Sequence, residues 1–388
     1  MKSRNDIAVA VGSLLLAACA TPQSRDLPVA ASIDVEARRL MGNEDVKGLA
    51  LAVIDAGETV HVTALGLRNV EQNLPLTTDT VMYGASLTKT LVACLVLQLV
   101  DEGKLDLDRS IADYLPRPLS EYDDYKDLIG DDRWRALTLR NILNQATGFA
   151  NFRWLEEDGK LRFHFQPGAR YAYSGEGFYI LQMVIEEGLG LNLEIEAKRR
   201  IFDPLGMTRT SLQWRADFAI DLADGYGVDG KFEPHDERSG PSAAGSMDTT
   251  IGDQAKLWAA LMRGDILTAK SRMELTRPQL AILSAGQFPT LSDKKDPRGP
   301  AIGLSAGLGL VTYRDSNGLS WFKGGHNDWT GNMLICQEKK RRCIVFLSNS
   351  VRAERIYPAL VRYVLGESAT PWWWEYGEAT IDRAPVGG

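Results

Sequence analysis

A serine and a lysine three residues apart, Ser86 and Lys89, stand at the head of a run in which every residue from Leu91 to Val100 except Gln98 is apolar. Hydrophobic on all sides, this run reads as a helix buried all round, ending at Gly103. In its first turn an offset of three places both side chains on one face. A lysine there is chemically unusual. The helix dipole opposes an ammonium at an N-terminus and burial disfavours the charged form, so both lower its pKa and leave an amine that can act as a base. A serine at the same end meets backbone N–H donors and the positive end of the dipole, which favour an alkoxide and later an acyl oxyanion. The pair reads as a nucleophile and its activating base.

Ser-x-x-Lys alone is a weak signal, since it occurs twice more in the chain. Ser292 and Lys295 fall in a charged, loop-like run. Ser320 and Lys323 fall in a strand pattern, where an offset of three sends the side chains to opposite faces. Only Ser86 opens an apolar helix.

The elements that must position this pair are legible in outline. Ser32 to Met41 reads as a short amphipathic helix stopped by Gly42, and Leu49–Ile54 with Thr59–Leu65 as a hairpin turning at Ala56-Gly57. The middle reads as all-helical, with segments at Leu137–Thr147, Gly177–Gly188, Asn192–Phe202, Thr250–Met262 and Leu267–Leu275. Strand patterns return at Ile302–Tyr313, Leu319–Lys323, Asn332–Gln337 and Arg342–Leu347, and a helix from Arg352 to Leu365 follows. Strands at both ends around a helical middle predict an α/β (α+β) fold: an antiparallel sheet flanked by N- and C-terminal helices, with an inserted helical lobe. The expected division is 28–108 with 300–370 for the α/β lobe and 109–299 for the helical lobe. Residues 371–388 form a tail whose Trp372-Trp373-Trp374 is expected to pack over the body.

A chain of 388 residues is long enough for two such lobes, and its net charge of −7 with no basic stripe argues against nucleic-acid binding. The four histidines are scattered without ligand spacing, so neither a metal nor a cofactor is expected. The first 18 residues, with Lys2 and Arg4 ahead of an apolar run to Ala18, read as a signal peptide, and 19–27 as a linker. Leu16-Ala17-Ala18-Cys19 resembles a bacterial lipobox, which implies a chain lipid-anchored through Cys19 and facing the periplasm; the alternative is a soluble periplasmic protein. Cys94 falls in the apolar helix as a small core residue. Cys336 and Cys343 flank a charged hairpin tip, where a disulfide is compatible with an oxidising compartment.

Three motifs in order, Ser86-Leu87-Thr88-Lys89, Tyr173-Ser174-Gly175 and Lys323-Gly324-Gly325, resemble those of the serine β-lactamase and penicillin-binding superfamily, in the branch that contains class C β-lactamases, family VIII esterases and D-amino-acid peptidases. Leu139 to Gly148, Phe165-Gln166-Pro167-Gly168 and Ala244-Gly245-Ser246-Met247 are similar as well, and the likeness spans about residues 32 to 366. The resemblance implies an acyl-enzyme on Ser86, and a proton shuttled by Tyr173, whose phenol the cations Lys89 and Lys323 are expected to lower. It further implies an oxyanion hole from the Ser86 and His326 amides, and a strand edge at Lys323, Gly324 and Gly325 along which substrate lies. Its small-molecule substrates are esters, β-lactams or D-amino-acid amides.

Two positions depart from the family pattern. Gly175 stands where the family usually has an asparagine that contacts an acylamino carbonyl, and Gly324 stands where a hydroxyl usually meets a substrate carboxylate. Both favour simple esters, so ester hydrolysis leads, with β-lactamase or D-alanyl-D-alanine carboxypeptidase as the alternative. On this reading Gly175→Asn would narrow the gap, and Glu176 is the residue that could swing into the vacated space. Readings of another class are a penicillin-binding sensor that acylates without turnover, or a structural lipoprotein.

Overall fold

The computed structural model describes residues 27–378. The N-terminal strands are β1 (Gly48–Asp55), β2 (Glu58–Asn69), β3 (Leu74–Pro75) and β4 (Met82–Ala85); the middle contributes β5 (Gly225–Tyr226), β6 (Phe232–Glu233), β7 (Met247–Thr249) and β8 (Leu280–Ala281). The C-terminal strands are β9 (Ser305–Ala306), β10 (Val311–Asp315), β11 (Gly318–His326), β12 (Gly331–Gln337) and β13 (Arg342–Ser348). Nine of them make one antiparallel sheet in the order β3-β2-β1-β13-β12-β11-β10-β9-β8. The two ends of the chain join where β1 runs against β13, with Leu49 opposite Ser348 and Ile54 opposite Cys343.

The alternation of side chains along β1 divides its residues between two cores. Ala50, Ala52 and Ile54 face a core shared with helix α2 (Leu87–Asp101). Leu49, Leu51 and Val53 face the other, shared with helix α1 (Ala30–Glu44) and the helix Tyr357–Leu365. With both faces covered, the strand must be apolar throughout, and each fully buried leucine here contributes about 1.5 to 3 kcal/mol. Helix α2 is buried along nearly its whole length, so the sequence around Ser86 is held by packing on every side.

Several expected elements are redrawn. Helix α1 passes Gly42 and stops at Asp45, which takes the left-handed conformation (φ 54°) and sends its N–H to the Met41 carbonyl. The middle is not all-helical: β4 pairs with β7, β5 with β6, and β8 adds the last strand of the sheet. Strands of two or three residues carry too little alternation to be seen in a sequence. The expected strand at Ile302–Tyr313 is broken into β9 and β10, the chain reversing between them through Gly309 at φ 72°. The helix expected at Leu137–Thr147 is only α3 (Leu139–Leu143). Arg352–Leu365 divides into a 3-10 turn, Val351–Arg355, and the helix Tyr357–Leu365.

Cys336 and Cys343 sit opposite each other on β12 and β13 and are joined as a disulfide. Among the tryptophans of the tail, Trp374 is 1% exposed, and its indole N–H donates to Ser284 Oγ at 3.1 Å. The segment therefore packs over the body. Cys19 and the stretches expected to be a signal peptide and most of the linker lie outside the described residues.

Candidate active site

Helix α2 starts from a sharp turn. Ala85, the last residue of β4, has φ 46°, a left-handed conformation that costs a residue with a Cβ roughly 1 kcal/mol or more. Thr88 pins the turn, donating from Oγ1 to the Ala85 carbonyl at 2.6 Å and accepting the Met247 N–H of β7 at 3.1 Å. Ser86 is thereby presented at the floor of a cavity of 590 Å³, with Lys89 one turn behind it.

Lys89 is 1% exposed; its Nζ lies 3.2 Å from Ser86 Oγ and donates to the Ala244 carbonyl. Burial first, and the nearby Lys323 second, hold its pKa well below that of an ordinary lysine. A neutral amine that donates one N–H to Ala244 has a lone pair free for the serine proton. The Ala244–Met247 stretch thus serves Lys89 with its backbone.

Tyr173 comes from the loop that leads into helix α4 (Gly175–Met183), and its hydroxyl donates to Ser86 Oγ at 2.7 Å. Gln145, at φ 61° just past α3, grips the backbone on both sides of it. The Gln145 carbonyl accepts the Ala172 N–H at 2.8 Å and its side-chain oxygen accepts the Ser174 N–H at 2.7 Å. The Leu139–Gly148 stretch therefore fixes the tyrosine, a role that nothing in its own composition announces.

The phenol is not activated as expected from the two lysines. Burial raises the Tyr173 pKa above its ordinary value, and the hydrogen bond with Ser86 only partly opposes this. The Lys89 pKa is held well below that of an ordinary lysine, chiefly by burial, and Lys323, with Nζ 5.1 Å from the ring centroid, spends a donor on the Gly324 carbonyl. Lys323 itself is pulled down to about 8, burial outweighing the opposing pull of Glu375. In the resting site Tyr173 is a neutral acid.

Strand β11 brings Lys323, Gly324, Gly325 and His326 along one edge of the cavity, with Gly324 and His326 among its lining residues. A Cβ on Gly325 would stand 2.9 Å from the Gly84 carbonyl oxygen and 3.1 Å from the Ser86 nitrogen, so only glycine lets the strand come this close to the turn. The His326 ring lies 3.1 Å from Glu354; burial is the largest cause and works against its charge, but Glu354 and then Glu375 together raise the pKa.

The two departures are both filled. A Cβ on Gly175 would stand 2.3 Å from the Phe152 ring, so an asparagine there requires the ring to shift, a contact that the expectation for Gly175→Asn did not include. Glu176 does not turn into the site: it is fully buried and held by Arg153 through the guanidinium at 2.6 Å and the backbone N–H at 2.8 Å. A Cβ on Gly324 would stand 1.9 Å from Oε1 of Glu375, which arrives from the tryptophan-rich tail. Phe152 and Glu375 carry no motif of their own, and the sequence offered no signal for either.

A family model described as Beta-lactamase matches residues 33–365. A D-aminopeptidase of Brucella anthropi is 30% identical over 47% of this chain and 36% of that protein. A lovastatin esterase of Penicillium rubens is 29% identical over 42% of this chain and 48% of that protein. The matches thus span half or less of the length of these relatives. The octameric penicillin-binding protein homologue from Pyrococcus abyssi superimposes with a TM-score of 0.69 at 20% identity, over 88% of this chain and 78% of that one.

Proposed function

The chain belongs to the beta-lactamase family, and on that premise we propose that it is a serine hydrolase that works through an acyl-enzyme on Ser86 and prefers carboxylic esters. The observation that carries the reading is the pair of contacts on one oxygen: Tyr173 O–H at 2.7 Å and Lys89 Nζ at 3.2 Å from Ser86 Oγ. Neutral Lys89 accepts the serine proton as Oγ attacks the carbonyl carbon, and the oxyanion is received by the amides of Ser86 and His326. As the tetrahedral species collapses, the Tyr173 O–H protonates the leaving oxygen, and the proton held by Lys89 restores the phenol. Water then repeats the sequence in reverse, with the serine oxygen as leaving group.

Preference for esters is supported by the substrate side of the cavity. The place of the asparagine amide is closed by Phe152, so an acylamino group gains no hydrogen bond there. The Pyrococcus homologue supports the fold, and the lovastatin esterase is a relative whose name states ester chemistry. Intact mass after mixing with p-nitrophenyl acetate should show an acetyl adduct that Ser86→Ala abolishes. kcat/KM for short-chain p-nitrophenyl esters should exceed that for benzylpenicillin; the reverse order would make β-lactam hydrolysis the better reading.

For location, the proposal is the periplasmic face of a bacterial membrane, with lipid on Cys19. The lipobox-like Leu16-Ala17-Ala18-Cys19 and the Cys336–Cys343 disulfide support it. Unmodified Cys19 in protein recovered from a bacterial host would overturn the anchor.

A further inference from the structure

The tail residue Glu375 is 5% exposed, yet it lines the same cavity as Ser86 and Gly324. Its Oε2 accepts a hydrogen bond from Gln287 Nε2 at 2.9 Å, while its Oε1 is buried with no partner among the described residues. That unpaired oxygen is the atom that a Cβ on Gly324 would meet at 1.9 Å. Helix Trp372–Glu375 is held in place by Trp374, which packs against Phe322 of β11 with ring centroids 6.3 Å apart. A buried carboxylate oxygen without a donor is costly, and the cost is recovered when a ligand supplies one.

We propose that Glu375 determines the charge preference of this site: it sets a carboxylate at the place where the family presents a hydroxyl to a substrate carboxylate, and so selects substrates that bring a cation or a neutral hydrogen-bond donor to Gly324 over those that bring a carboxylate. The inference rests on the acyl-enzyme reading above. Three further observations bear on it. Lys323 donates to the carbonyl of Gly324 on its own strand and, although its charge acts on Glu375, makes no hydrogen bond to Oε1. His326 lies nearest Glu354, with Nδ1 3.1 Å from Oε1, and makes no hydrogen bond to Glu375, so it too leaves Oε1 unpaired. Phe152 stands beside Gly175, on the side where the family meets an acylamino group, and Glu375 stands beside Gly324, the edge that the proposal gives to the leaving group. Burial raises the Glu375 pKa while Lys323 and then His326 oppose it, and a carboxylate brought to Gly324 would face the ionised Glu375 at close range, where like charges repel.

The test uses three acetate esters that acetylate the same serine and differ only in the leaving phenol: phenyl acetate, 4-(aminomethyl)phenyl acetate and 4-acetoxybenzoate. kcat/KM for each is followed by phenol release. The native enzyme should favour the aminomethyl ester over the benzoate by at least about tenfold after correction for their spontaneous hydrolysis rates. Glu375→Gln keeps the shape and the Gln287 contact and should reduce that ratio to within about threefold, while Glu375→Asp should retain most of it. The ratio is taken within each variant, so a general loss of activity does not disturb it. A native ratio near one, a ratio unchanged by Glu375→Gln, or a preference for 4-acetoxybenzoate would each overturn the proposal. If none of the three esters is cleaved and Ser86 takes no acetyl group, the acyl-enzyme reading itself fails, and this inference with it.

Discussion

On the floor of the cavity, Ser86, Lys89 and Tyr173 touch one another through a single oxygen, and each comes from a motif that stands in one short stretch of sequence. On the rim, the motif positions Gly175 and Gly324 contribute no side chain, and the space beside them is taken by Phe152 and Glu375 from elsewhere in the chain. The floor is fixed by the reaction, since proton transfer tolerates little displacement of its partners. The rim faces the variable part of the substrate, where any group of suitable shape and charge can be brought in by folding. Losing a family residue at the rim therefore did not leave a hole.

The largest effects should come from the floor. Ser86→Ala should lower kcat for a p-nitrophenyl ester by at least about 10³-fold, because the covalent route is gone. Lys89→Met and Tyr173→Phe should each cost about 10² to 10⁴-fold. Their double variant should lose far less than the product of the two, since both handle the same serine proton. Strict additivity in kcat would break the idea that the floor acts as one unit.

Gly325→Ala sharpens the boundary between the two regions. The added methyl group would press on the Gly84 carbonyl and the Ser86 and Leu87 nitrogens, all backbone atoms that have no rotamer to yield. Activity should fall by about 10²-fold as Ser86 shifts, with a loss of stability of about 1 to 3 kcal/mol. Thermal unfolding and ester kinetics on the same sample check both; a variant of native stability and rate would show that the strand is not seated against the nucleophile.

How much of this was legible follows the same line. The apolar run of α2 announced a buried helix because burial on all sides demands it, and Lys89 drew attention because a lysine there is costly. The strands β1, β12 and β13 were visible for the same reason, each being almost wholly apolar between turns. What stayed hidden is what depends on long-range placement. The grip of Gln145 on Tyr173, the carbonyl of Ala244 behind Lys89 and the arrival of Glu375 at Gly324 join stretches far apart in the chain. The direction of the Tyr173 pKa was hidden too, because counting nearby lysines says nothing about how deeply the phenol is buried.

A smaller effect separates an empty rim from a filled one. If Gly175 simply lacked a side chain, Gly175→Asn would improve penicillin hydrolysis. With Phe152 in place, the single substitution should lower activity on every substrate, and only the pair Phe152→Ala with Gly175→Asn should raise kcat/KM for benzylpenicillin, relative to Phe152→Ala alone, by about 2 to 10-fold, the value of one hydrogen bond. A gain from Gly175→Asn alone would mean that the ring yields and that the rim is not filled as described.

The smallest effect concerns the electrostatic link between rim and floor. Lys323 lies on the rim strand, and its charge is one of the two causes that hold the Lys89 pKa down. Removing a cation next to an ammonium removes a penalty on that ammonium, so Lys323→Met should raise the Lys89 pKa. Because the serine reacts only when Lys89 is neutral, kcat/KM for a neutral ester rises with pH as Lys89 loses its proton. In Lys323→Met that ascending limb should move to higher pH, by less than about one unit, since burial is the larger cause and remains. Lys323 itself titrates near 8, so its field is present below that pH and fades above it. The displacement should be plain when the limb lies below 8 and small when it lies above. A limb that stays put below 8, or moves to lower pH, would show that the two lysines do not sense each other and that the floor sets its own base without help from the rim.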